Sequence, residues 1–199
     1  MIANIGINIL GLFIFLFVFW RKLKEDYVSE IIFSASVFIL LGLLAGFIIS
    51  LKFFPSFIFW SEFIGILLGL ALSVLRLKLR VYETLEAAVI SFLPWFGIYF
   101  LHDSVDNSSL ISFIAFGVVL ALILAYYFFD LKYKNFSWYR SGRVGFSGLA
   151  TLGLFFLVRS AVAIFTDNVL SFGGSMEPFI SGAFAFISFV AIFNLGRQV

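Results

Sequence analysis

The 199-residue chain has no cysteine, a single histidine, three prolines and only 12% charged residues. Each shortage excludes a class of chemistry. Without cysteine there is no disulfide, no thiol nucleophile and no cysteine-based metal or redox motif. One histidine, His102, makes a His-rich metal cluster impossible, and no metal or cofactor is expected. The chain also lacks a Gly-rich phosphate loop, an H-E-x-x-H pair and a G-x-S-x-G elbow. Its charged fraction is about half that of soluble domains. A formal net charge of +2 gives no ground for binding nucleic acid.

What is abundant is apolar. Hydrophobic residues make up 63% of the chain, 30 of them Phe, and the mean hydropathy is +1.14. Seven runs are long enough to cross a bilayer, which takes about 20 residues. They are Ile2–Trp20, Val28–Leu51, Phe57–Leu75, Leu85–Leu101, Leu110–Phe129, Val144–Phe165 and Phe179–Leu195, the fourth and seventh being short. The sequence therefore predicts an all-α, seven-transmembrane-helix bundle forming one integral membrane domain. The first run has no basic residue before it and no A-x-A-type site after it, so it reads as a retained helix.

Charge sets the expected orientation. Arg21, Lys22 and Lys24 follow the first run, and Arg76, Lys78 and Arg80 the third. Lys132, Lys134, Arg140 and Arg143 follow the fifth, and Arg197 the last. These are 11 of the 13 basic residues, and all fall on one side. By the positive-inside rule that side is cytoplasmic, with the N-terminus outside and the C-terminus inside. The outer loops then carry Asp103, Asp106, Asp167 and Glu177.

Two charges lie deep inside the runs. Glu62 lies about 7.5 Å and Arg159 about 9 Å from the outer ends of their helices at helical rise. Intramembrane charges usually face the bundle and pair, so a Glu62–Arg159 ion pair is expected. The alternatives are that both snorkel to the headgroups, or that they form an anionic-substrate site with Arg159 on a phosphate or carbonyl oxygen. Ser61, Gly65, Gly69 and Ser73 recur every four residues, as do Gly42, Gly46 and Ser50, a spacing that lets helix backbones approach closely. His102, Asp103 and Asp106 cluster at the outer end of the fourth run, either as a proton shuttle or as a helix cap. Glu83 and Glu86 read as interfacial partners of Arg76, Lys78 and Arg80. Trp20, Trp60, Trp95 and Trp138 suit an aromatic belt, Trp95 lying deepest.

The order of elements resembles a known family. I-G-I-N-I-L-G-L (5–12) leads to W-R-K-L-K-E-D-Y (20–27), then to G-L-L-A-G (42–46) and to F-I-F-W with a glycine-bearing helix (57–69). A basic R-L-K-L-R loop precedes L-E-A-A, and a later helix carries one arginine, Arg159. This pattern is similar to prolipoprotein diacylglyceryl transferase, a seven-span bacterial inner-membrane enzyme with the same topology. That family transfers diacylglyceryl from phosphatidylglycerol to the lipobox cysteine of a prolipoprotein at the outer side of the membrane.

The resemblance covers nearly the whole chain, but the family's signature residues are largely absent. Of its His-Gly-Gly-x-x-Gly motif only Gly65 and Gly69 fit, with Phe63 or Ile64 at the histidine position. Its Gly-Arg-x-Gly-Asn-Phe stretch falls near Tyr99–Ser104, where His102 and Asp103 keep only a polar character. Its late arginine corresponds to Arg159, while the glutamate one turn later is Ala163, and its outer head domain has no counterpart. The resemblance implies catalytic roles for Arg159, for Glu62 as base and for His102 as alternative base. It implies substrate contacts at Arg159, Gly65, Gly69 and Asp103, and as partners a phosphatidylglycerol-like lipid and a lipoprotein precursor. Three readings stay open: a divergent transferase, a non-catalytic relative that binds lipid or scaffolds, and a small transporter.

Overall fold

The computed structural model describes residues 2–136, 138–139, 144–165 and 173–197, with side chains from residue 6 onward. Arg140, Arg143 and Asp167 lie outside the described residues. The fold is 90% helical and has no strand among the described residues. Its helices are α1 (Ile2–Leu23), α2 (Ser29–Phe53), α3 (Ile58–Leu77), α4 (Val81–Asp106), α5 (Leu110–Lys132), α6 (Phe146–Phe165) and α7 (Glu177–Arg197). All seven are long and apolar enough to cross a membrane, and the chain is a multi-pass membrane protein in these terms. One end of the bundle gathers the basic loops. The opposite end, here the far end, carries the 53–58 and 106–110 connections, the end of α6 and the start of α7.

Expected and observed spans agree closely except for α4, which runs from Val81 to Asp106 instead of Leu85 to Leu101. The hydropathy run lies between Glu83 and His102, but the helix extends past both because its acids Glu83 and Glu86 are satisfied. Glu83 accepts from Tyr27 Oη at 2.8 Å and from Arg80 at 2.8 Å. Glu86 pairs with Lys22 at 2.9 Å, so it is a partner of α1 and not of the Arg76–Arg80 loop.

Helices α2 and α3 pack antiparallel at backbone contact. A methyl added to Gly42 would fall on the carbonyl oxygen of Gly65, one on Gly65 would strike Gly42, and one on Gly46 would strike Ser61. Ser61 Oγ donates to the Gly46 carbonyl across the same seam at 2.8 Å. The small-residue stripes are therefore helix-packing faces, the geometry such spacing permits in membranes. Helix α4 is central. It packs antiparallel on α1 through Phe15, Phe92 and Trp95 and on α5 through Gly97 and Val119. It runs alongside α6, where Gly148 sits against Glu86.

Candidate functional site

Near the far end, the aromatic start of α3 meets α6 and α7. Trp60 packs against Phe156 (5.7 Å) and Phe184 (5.3 Å), whose rings also meet each other at 5.3 Å, and its indole Nε1 donates to Glu177 at 2.8 Å. Glu177 also accepts from Arg159 Nε at 2.5 Å, from Ser181 Oγ at 2.7 Å and from the Gly173 backbone N–H at 2.9 Å. Its side chain is fully buried and that of Arg159 is 11% exposed. The guanidinium lies over the Phe59 ring, 3.7 Å from its centroid, a cation–π contact strengthened by desolvation.

The expected Glu62–Arg159 pair is thus corrected. Arg159 pairs with Glu177, and no ion pair joins it to Glu62 among the described residues. Depth alone did not determine the partner, because azimuth matters as well. At about 100° per residue, Glu62 points some 200° around α3 from Trp60, away from the α7 acid. Glu177, read as an outer-loop residue, is the first residue of α7 and buried, where the helix N-terminus favours a carboxylate. The sequence signal was the Glu-Pro step, with proline just inside a helix start.

Glu62 instead faces a groove. Phe59, Glu62, Phe63, Ile66, Leu67 and Leu70 form one stripe of α3 at i, i+3, i+4, i+7 spacing. Opposite it stand α4 (Leu85 to Phe96) and α6 (Thr151, Leu152, Phe155). The helices part here to leave a narrow open-sided cleft of about 80 Å³. Only Glu62 and Thr151 among its lining residues are polar. Glu62 is half-buried and makes no hydrogen bond or ion pair among the described residues. The Thr151 hydroxyl is buried without a hydrogen-bond partner, as is that of Ser147 one turn earlier. From Phe59 to Leu70 the α3 wall of the groove runs roughly 16 Å along the helix axis at 1.5 Å per residue. Phe59 is shared: it lines the groove and carries the Arg159 guanidinium, so the ion pair borders the groove mouth.

Gly65 and Gly69, expected at a substrate site, face α2 and do not line the groove. Asp103 accepts from Asn107 Nδ2 at 2.8 Å and from Ser112 Oγ, tying the end of α4 to the start of α5. That is the capping alternative, with no ion pair or hydrogen bond from Asp103 to Arg159 or Glu62 among the described residues. His102 stands beside it, half-buried.

A second buried polar cluster went unread in the sequence. Glu86, 2% exposed, accepts from Lys22 (2.9 Å), Tyr126 Oη (3.1 Å) and the Gly145 N–H (2.8 Å). Lys22 also bonds Asp130 at 3.0 Å. The cluster joins α1, α4, α5 and the start of α6 near the basic end. No hydropathy pattern announces it, since its members sit on three separate helices and a loop.

These features define a seven-helix membrane bundle with an open apolar groove, a carboxylate inside it and a buried ion pair at its mouth. In comparisons with protein-family models, with curated proteins and with solved structures, the chain matches none.

Proposed function

We propose that this protein takes a phosphatidylglycerol-like lipid into the α3–α4–α6 groove and transfers its diacylglyceryl group to a cysteine thiol. It would do so as a divergent relative of prolipoprotein diacylglyceryl transferase. In this reading it lies in a bacterial inner membrane with its N-terminus outside and the far end of the bundle in the outer leaflet. The observation that carries it is the groove itself. An open-sided apolar slot with one half-buried carboxylate near its mouth suits an acyl chain below and a reacting headgroup above. An aqueous transport path would need polar lining, which this slot lacks.

In the transfer step Glu62 accepts the thiol proton. The sulfur forms a bond to the terminal glycerol carbon of the diacylglyceryl group, and that carbon's bond to the phosphate oxygen breaks. The electron pair leaves on glycerol phosphate. Arg159, across Phe59 from the groove, contributes positive potential to the departing phosphate. Glu177 supplies the carboxylate partner that Ala163 cannot, and it orients the guanidinium through Nε.

Neutralisation of Arg159 by a fully buried glutamate favours a second reading, in which the groove binds lipid without turnover. Labelled phosphatidylglycerol and a lipobox peptide separate the two. Transfer that is lost in Glu62→Gln supports catalysis. Lipid retention without transfer in the wild type supports binding alone, and neither transfer nor retention refutes both.

A further inference from the structure

A second apolar trough lies elsewhere on the bundle, at its basic end. Its floor is one face of α6, Phe146, Ala150 and Leu154, spaced four residues apart. Phe129 of α5 walls one side, and Phe189 and Phe193 of α7 the other. Its volume is about 340 Å³, and it opens to the surroundings of the bundle. The trough exists because Ala150 is small where its neighbours on the stripe are large.

The mouth is cationic and aromatic. Arg197, one turn beyond Phe193, folds back so that its guanidinium carbon lies 4.1 Å from the centroid of that ring, on the trough's own wall. Trp138 closes the basic end, tilted against Phe146 at 5.7 Å and 53% exposed. Lys134 lies over Tyr133, which itself stacks on Phe146. The neighbouring carboxylates are already engaged: Asp130 and Glu86 both bind Lys22.

We infer that this trough is a binding site for an anionic phospholipid of the leaflet at the basic end. One acyl chain lies along Phe146, Ala150 and Leu154, and the phosphate lies between Arg197 and Lys134 under the Trp138 ring. Basic pockets between helices select anionic headgroups on the side where the positive charge gathers, and tryptophan sits at headgroup level. Charge complementarity commits the site to an anionic lipid, because a zwitterionic one would bring its own cation to a mouth already holding two. The site is separate from the groove beside Glu62 and does not depend on the transfer reading.

The test is native mass spectrometry of the full-length protein, equilibrated in mild detergent with equimolar dioleoyl phosphatidylglycerol and dioleoyl phosphatidylcholine. The background is a Leu67→Trp variant that fills the Glu62 groove, so retained lipid reports on the trough. We expect a bound phosphatidylglycerol that Arg197→Gln and Lys134→Gln each weaken about fivefold, the size of one surface cation on an anionic lipid. Arg197→Lys should keep most of the binding, and Ala150→Leu should remove it by filling the floor. Equal retention of the two lipids would overturn the site as annular lipid only. Retention unchanged by both charge variants, which sit on the exposed surface and leave the core intact, would overturn it as well.

Discussion

Removing the Glu177 carboxylate tests most sharply whether the far-end ion pair holds the bundle together. In Glu177→Ala, Arg159 is left in a mostly buried site without its acid, and Trp60 and Ser181 each lose an acceptor. Breaking one partner of a buried pair costs about 3–5 kcal/mol. Interhelical polar contacts in membranes average only about 0.6 kcal/mol each, so the two interhelical bonds to Glu177, from Trp60 and Arg159, set a floor of about 1.2 kcal/mol from the same average. The expected loss is therefore about 1–5 kcal/mol. It can be read from reversible unfolding in mixed detergent–dodecyl sulfate micelles, followed by circular dichroism. Glu62→Gln, at a carboxylate with no bonded partner among the described residues, is the reference and should change stability by less than about 1 kcal/mol. The double change Arg159→Leu/Glu177→Leu removes both charges and should be less damaging than Glu177→Ala alone. Equal losses in Glu177→Ala and Glu62→Gln would refute the reasoning, as would a double variant more damaging than Glu177→Ala alone.

Other expectations concern packing and the second polar cluster. Gly65→Leu should prevent stable assembly because its side chain meets the α2 backbone, whereas Gly117→Ala, with open space around it, should be silent in the same unfolding assay. Lys22→Met should cost about 3 kcal/mol or more by stranding the buried Glu86, and adding Glu86→Leu should recover part of that loss. Thr151→Val should be neutral or slightly stabilising in the lipid-free protein, because the buried hydroxyl has no partner to lose. Thermal unfolding measured with and without added lipid checks this.

The seven spans were legible because twenty-residue apolar runs leave few alternatives. The packing role of Gly42, Gly46, Gly65 and Gly69 was legible from spacing alone, since α2 and α3 meet on that face. Arg159 stood out as a charge in an apolar run, but its partner did not. Depth along a helix can be counted from sequence, whereas rotation about the helix and the tilt of its neighbours cannot. Glu62 and Trp60 sit two residues apart on α3 and face different neighbours, and that decided which acid meets the arginine. The extent of α4 was hidden for a related reason. Hydropathy penalises Glu83 and Glu86, while the folded bundle satisfies them with Tyr27, Arg80, Lys22 and Tyr126. The groove was not legible at all, because it depends on where α3 and α4 part, and that is a property of the assembled bundle.

The most direct measurement is transfer of labelled diacylglyceryl from phosphatidylglycerol to a lipobox peptide by the purified protein in lipid nanodiscs, with Glu62→Gln and a groove-filling Leu67→Trp variant alongside. The account predicts label on the peptide thiol with the wild type and none with either variant, both remaining folded. Wild-type protein that binds the lipid and leaves the peptide unlabelled would contradict the transferase reading, and transfer undiminished in both variants would show that the groove is not its site.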